Sequence, residues 1–428
     1  MTNYSFKITE LPSGLRIITS EMPHMESVAV GIWAKLGNRY ESPEFLGISH
    51  FLEHVNFKGT KKRKARQISQ AIESVGGSIN GFTSEEVTCY YAKVRYPKFE
   101  TALEVLLDLY KNSVYNLEDI EIERKVIFEE IKMYNDMPQQ LVYENFNTIS
   151  WRGHPLGRPV LGTFETVGNI RRKDLLSHRN TYYVPLNTVI SVAGNIKHET
   201  VVRKVSELSK GWRKGAKTGP CLPYKEAQRS PRFSFNTRQI EQAHLVLGFK
   251  SFGKTDPERF PLKILSTVIG ENMSSRLNHE IREKRGLAYS VHSHISRYRD
   301  TGAFQIGVST DAVNLKKVIE LILKTCNNIS SKGIKPVELK HAKEFVRGCT
   351  ALALERTSDY MIWLGENLLT TGKIQNAGEL IEKYNKVSLE DVQRVARKVF
   401  TMKKLNCAVV SPEVNQKEIK DLVRNSTL

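Results

Sequence analysis

Residues 47–60 read GISHFLEHVNFKGT, and within them His50, Glu53 and His54 form the pattern His-x-x-Glu-His from which the rest of the chain is read. Pro43 upstream and Gly59 downstream bound a predicted helix over residues 43–58, since proline is favoured in the first turn and glycine just past the end. Residues four apart share one helical face, about one turn of rise from each other, so both imidazoles can reach a single ion. Glu53 projects beside them, three residues from His50. Taken alone, the triplet has two readings: a metal-binding pair with a neighbouring carboxylate for proton transfer, or two partly buried core histidines.

The spacing is that of the inverzincins, the reverse of HExxH, in which the two histidines hold the ion and the glutamate handles the proton. A catalytic zinc site takes three protein ligands plus water, so a third ligand must come from elsewhere. The acidic stretch at 117–134, LEDIEIERKVIFEEIKMY, reads as a helix and offers Glu123 and Glu130, seven apart and so on one face. Glu118, Asp119 and Glu121 suit a solvated charged face. Glu130 suits it less, because Val126, Ile127, Ile131 and Tyr134 place much of that helix against a core.

A length of 428 residues suggests two or three domains, and 40% hydrophobic with 26% charged residues sets aside collagenous, coiled-coil and disordered classes. No stretch approaches the roughly 18 consecutive apolar residues of a membrane span. The first twenty residues carry no apolar leader and no Arg/Ser-rich, acid-poor one, so the expectation is a cytoplasmic protein, with a mature chain in the mitochondrial matrix as the alternative. Five cysteines, with no CxxC pair, argue for buried apolar fillers and against a disulfide framework or zinc ribbon. A net charge of +18 is compatible with nucleic acid, an anionic membrane or acidic substrates. The basic run at 61–66, KKRKAR, lacks interleaved aromatics and reads as the solvated start of a helix; neither a nucleic-acid nor a membrane partner is expected.

Composition shifts once, across residues 211–231, which are rich in Gly, Pro, Lys and Arg. The expected division is 1–212, a linker at 213–231, and 232–428. Each half runs through an apolar strand, a helix, further strands and helices, and a closing helix–strand pair. Residues 28–36 parallel 244–250, and 174–192 parallel 391–410, which points to a duplication. Strands mixed with flanking helices in each half argue an α+β domain built on a sheet.

Five stretches resemble the pitrilysin family of zinc peptidases: residues 47–60, 76–83 (GGSINGFT), 123–138 (ERKVIFEEIKMYNDMP), 154–163 (HPLGRPVLGT) and 273–290 (MSSRLNHEIREKRGLAYS). They fall in family order over nearly the whole chain and are most similar to the branch of bacterial peptidases and mitochondrial processing peptidase. The resemblance implies two homologous α+β domains, each a mostly antiparallel sheet flanked by helices. It implies a zinc-dependent endopeptidase that hydrolyses peptides or unfolded polypeptide segments in a closed chamber, with one Zn2+ per chain. The family's third ligand follows the second histidine by roughly seventy-five residues, and Glu130 lies 76 beyond His54. By the same resemblance His50, His54 and Glu130 are the metal ligands, Glu53 is the catalytic base, and Glu123 supports the site without ligating.

The resemblance also assigns Asn80, Gly81 and Phe82 to an edge strand that takes up an extended peptide through main-chain bonds, with Asn80 as polar anchor. Arg282 and Tyr289 match residues that reach the substrate near the scissile bond, where a phenol or guanidinium stabilises developing negative charge; alone, Arg282 would read as a surface ion pair with Glu280 or Glu283. His154 reads as a loop-fixing residue. The implied assembly is a dimer, of two identical chains or with a related one. A non-catalytic structural or partner subunit of the same family is the alternative, and such members usually lack ligands or base that this chain retains. Two departures stand near the site, Val55-Asn56 after the second histidine and Glu271-Asn272 before Met273, and they bear on substrate preference.

Overall fold

The computed structural model describes residues 5–219 and 221–426. They form two compact units. The first holds a six-stranded sheet in the order β1-β2-β6-β3-β5-β4, from β1 (Phe6–Glu10), β2 (Arg16–Glu21), β3 (Ser27–Ala34), β4 (Ser78–Thr83), β5 (Thr88–Arg95) and β6 (Thr188–Gly194). The second holds a five-stranded sheet in the order β7-β11-β8-β10-β9, from β7 (Arg232–Thr237), β8 (Ala243–Ser251), β9 (Ala288–Arg297), β10 (Gly302–Thr310) and β11 (Leu405–Ser411). Leaving β1 aside, the two orders match strand for strand, and each sheet has a single parallel pair, β2 with β6 and β7 with β11, among antiparallel neighbours. The fold is α+β, with two mixed, mostly antiparallel sheets flanked by helices.

The central strands β3 and β6 are buried along nearly their whole length, as expected of strands covered on both faces. Ala29 and Trp33 of β3, Cys89 of β5 and Phe82 of β4 pack with Tyr360, Met361 and Leu364 of the helix Thr357–Thr371. Alternation turns Tyr90 of β5 to the other face, where its ring meets Tyr110 of the helix Phe99–Asn112 edge-on at 5.9 Å. In the second unit, the helices Leu315–Lys332 and Leu389–Val399 share one large core with Leu247, Phe249 and Ile306. Leu141, Phe146 and Trp151, from the helix Pro138–Ser150 and its end, pack with Val246 and Ala408 in another.

The units are not simple halves. The first comprises Met1–Ile131, Arg158–Leu222 and Ala351–Gly378, and the second Lys132–Gly157, Pro223–Thr350 and Glu379–Leu428. The switch at Leu222 falls inside the expected linker. The division at 1–212 and 232–428 nevertheless differs from these units, because the helix Pro138–Ser150 belongs with the second sheet and Thr357–Thr371 with the first. No helix among the described residues is long and apolar enough to cross a membrane. Cys89, Cys221, Cys326 and Cys407 are buried, whereas Cys349 is exposed and is no core filler.

Candidate metal centre

The helix carrying the His-x-x-Glu-His pattern is shorter than its sequence suggests. It spans Ile48–Asn56, preceded by a separate 3-10 turn at Pro43–Phe45. Gly47 between them has φ +90, and a side chain there would meet the backbone of Leu161 and Gly162, so only glycine fits. The helix start is capped from outside: the buried Glu41 carboxylate accepts from Gly47 N and Ser49 N, each at 2.8 Å. Burial pushes the Glu41 carboxyl up to about 7 despite these donors.

On this helix the His50 and His54 rings lie 4.6 Å apart between centroids. Glu130 comes from the long helix Leu117–Asp136, and its Oε2 lies 3.6 Å from His50 Nε2 and 3.5 Å from His54 Nε2. Two ligands on one tetrahedral zinc at about 2.0–2.1 Å stand about 3.3 Å apart, so these separations and the N, N, O donor set fit that ion. His50, His54 and Glu130 are the one such group of possible metal ligands among the described residues.

Charge around the centre is divided between its members. Burial, helped by the neighbouring His54, holds His50 down to about 4, which leaves it neutral as a ligand must be. Burial acts against charge on His54 too, yet the carboxylates of Glu123, Glu130 and Glu53 outweigh it and raise the group to about 9. Glu130 and Glu123 lie below the usual carboxylate range: burial opposes this, but the histidines, with Lys58 beside Glu123, prevail. Glu123 is buried one helical turn pair before Glu130, with Oε2 at 2.9 Å from His54 Nδ1, and Lys58 pairs with its other oxygen.

Glu53 is buried, and burial raises its carboxyl against the Thr83 hydroxyl that donates to Oε2 at 2.6 Å. Thr83 ends β4, which is an edge strand as expected. In that strand Gly81 pairs with Tyr90 and faces Glu53, while Asn80 and Phe82 turn to the opposite side of the sheet. Asn80 Oδ1 accepts from Gly81 N at 2.8 Å, and the Phe82 ring meets Trp33 edge-on at 5.6 Å.

Asn56, one of the two departures, points inward. Its Nδ2 donates to the Tyr90 hydroxyl and its Oδ1 accepts from Tyr115, both at 2.7 Å, and it is fully buried. Glu271, at the other departure, accepts from Lys263 and from Thr267.

The remaining sites lie in the second unit. Arg282 sits in a π-helical turn, Asn278–Glu283, and its guanidinium lies 5.2 Å from the centroid of the Tyr289 ring, which is 82% exposed. The surface ion pair with Glu280 or Glu283 does not form: Lys284 and Arg285 take Glu280, and His279 takes Glu283. His154 is buried, and its Nδ1 accepts from Leu156 N at 3.2 Å within its own loop.

Thr83, Glu41 and Lys58 are the neighbours of this centre that the sequence reading passes over. Alternation puts Thr83 on the same face as Gly81 but names no partner for it. Glu41 has no local capping signature, since it reaches the helix start from across a separate turn.

A family profile described as insulinase, peptidase family M16, matches residues 16–164, and one described as the peptidase M16 inactive domain matches residues 169–346. A protein of Bacillus subtilis named as an uncharacterized zinc protease is 39% identical over 404 residues, which is 94% of this chain and 97% of that one. A protein of Mycobacterium leprae with the same designation is 35% identical over 420 residues, 97% of this chain and 94% of its own. Among solved structures, a protease from Helicobacter pylori aligns with a TM-score of 0.89 at 23% identity, covering 96% of this chain and all of that one. A Pseudomonas fluorescens structure described as a peptidase M16 inactive domain gives 0.89 at 17% identity, with 96% and 99% covered. The last two likenesses show the fold. The chain belongs to peptidase family M16, the pitrilysin family.

Proposed function

We propose that this protein is a zinc-dependent endopeptidase acting on peptides or unfolded polypeptide segments. The observation that carries the reading is the convergence of His50, His54 and Glu130 around one point, with the Glu53 carboxylate on the same helix. His50 Nε2, His54 Nε2 and Glu130 would hold the ion, one per chain. When bound, zinc supplies Lewis acidity at the scissile carbonyl and brings the pKa of water near 7. Glu53, raised by its burial, would accept a proton at its carboxylate from the water whose oxygen bonds to the carbonyl carbon, and would give that proton to the amine as the C–N bond breaks. Glu123 holds the His54 ring and its tautomer through Nδ1.

The edge strand β4, through the backbone of Asn80, Gly81 and Phe82, adds an extended peptide as a further strand, independent of its sequence. Arg282 and Tyr289 stabilise the negative charge that develops on the carbonyl oxygen. In this reading two chains, identical or related, enclose the substrate in the cytoplasm, and only small or unfolded substrates enter. Elemental analysis for zinc together with hydrolysis of a quenched peptide tests the reading. A chain without stoichiometric zinc, or with zinc and no hydrolysis, would instead be a non-catalytic subunit of the family.

A further inference from the structure

Glu53 is held by the strand proposed to seat the peptide. The Thr83 hydroxyl donates to Oε2 at 2.6 Å, the short distance of a charge-assisted bond. Oε1 accepts no hydrogen bond among the described residues, and it lies in a slot that any side chain at Gly81 would narrow: a Cβ built there would stand 3.0 Å from Oε1, 3.2 Å from Cγ of Glu53 and 3.2 Å from the Phe57 ring. Gly81 and Thr83 are two apart and so share the face of β4 that meets the metal helix. One oxygen is therefore fixed and the other left free, by two positions of one edge strand.

We propose that Thr83 is a positioning residue for the Glu53 carboxylate and that the missing side chain at Gly81 keeps its second oxygen clear, so that β4 sets the geometry of proton transfer as well as seating the peptide. This rests on the peptidase reading above. A glutamate has three rotatable bonds, and without the Thr83 bond its carboxylate swings between rotamers. Proton transfer then waits on the minority orientation, whereas peptide binding through the strand backbone is untouched. Thr83 thus acts on kcat and leaves both KM and the metal alone.

The test uses the full-length zinc-loaded protein and the variants Thr83→Val, Thr83→Ser and Gly81→Ala, with Thr83→Val also placed in a Glu53→Gln background. Expected for Thr83→Val is a fall in kcat of about 10-fold to 100-fold, with KM within about twofold of the parent, because misplacement of a catalytic group by about 1 Å is felt on that scale. Zinc content stays stoichiometric. Thr83→Ser, which keeps the hydroxyl, recovers most of kcat, and Gly81→Ala loses kcat as its methyl crowds Oε1. In the Glu53→Gln background Thr83→Val adds no further loss, since the group it orients is gone. Unchanged kcat in Thr83→Val, a loss confined to KM, failure of serine to rescue, or an equal further loss in the Glu53→Gln background would each overturn the positioning role while leaving the peptidase reading in place. A wild-type chain that binds no zinc or cleaves no peptide would overturn both.

Discussion

His54 Nδ1 lies 2.9 Å from Glu123 Oε2, which leaves Nε2 as the nitrogen turned toward Glu130. Glu123 thereby fixes both the orientation and the tautomer of a proposed ligand while standing outside the His50–His54–Glu130 group. Replacing it with alanine is expected to weaken zinc binding about 10-fold to 100-fold, the usual scale for partners of metal-bound histidines. Chelator competition measures this, and unaltered affinity would remove Glu123 from the site.

The ligand and base roles separate by substitution. Glu53→Gln is expected to lower hydrolysis by about 10²-fold to 10⁴-fold with zinc content unaltered, because it removes a proton carrier and no ligand. His50→Ala and Glu130→Ala are expected to lose the metal itself. Stoichiometric zinc in Glu130→Ala would place the third ligand elsewhere.

Zinc uptake should release a proton. His54 in the metal-free centre is raised to about 9 by its carboxylates, and His50 is held to about 4 by burial, so near pH 7 the proton to be displaced is the one on His54. Affinity is then expected to fall by about tenfold per pH unit below about 9. The sign for stability is opposite. A histidine whose folded pKa is raised stabilises the metal-free fold fully below its unfolded pKa, and the contribution fades as pH rises through about 9. Titration calorimetry in two buffers of different ionisation enthalpy counts the protons, and none released at pH 7 would contradict the charge on His54.

Asn56 is expected to matter for stability and not for specificity. It joins the end of the metal helix to Tyr90 and Tyr115 in a fully buried position, and Tyr90 continues the chain to Tyr183 at 2.7 Å. Asn56→Ala takes from the buried Tyr115 hydroxyl its acceptor, at about 1–3 kcal/mol, and leaves the Tyr90 hydroxyl with Tyr183 alone. A clear drop in Tm with an unaltered cleavage profile on a peptide library is the expected result, and a changed profile would return Asn56 to the substrate site.

Arg282 and Tyr289 belong to a different unit from the candidate metal centre, and in the proposed dimer the pair acting at one zinc is expected to come from the other chain. Mixing Glu53→Gln chains with Tyr289→Phe chains under subunit exchange is expected to restore activity, because one mixed site then has both groups intact. A mixture no better than its parents would place both groups within one chain. Tyr289→Phe alone should lose about 10²-fold to 10³-fold, as an oxyanion donor does.

The candidate metal centre was legible in part through helical periods: four residues bring His50 to His54, and seven put Glu123 and Glu130 on one face, but only the resemblance singled out Glu130 as the one to meet the histidines. The helix start was not, since Pro43 gives the ordinary signal and the cap that moves the start to Ile48 comes from Glu41 through tertiary contact. Thr83 was visible as a residue of the edge strand but not as a partner of Glu53, because alternation assigns a face only relative to a known neighbour. The division into units was half legible. Composition marks the crossing near Leu222, but the apolar residues Tyr360, Met361 and Leu364 announce only that their helix is buried, not which sheet buries it.

That last helix has a consequence in time. Residues 357–371 complete the face of the first sheet that holds Trp33, and they are made some 160 residues after the last strand of that sheet, β6. A chain emerging from the ribosome therefore carries His50, His54 and Glu130, the proposed ligands, long before the sheet beside them can close. The first unit of a nascent chain halted near residue 222 should remain open to added protease and that of the finished chain should not, which makes the unit with the candidate metal centre a late product of synthesis despite its place early in the sequence.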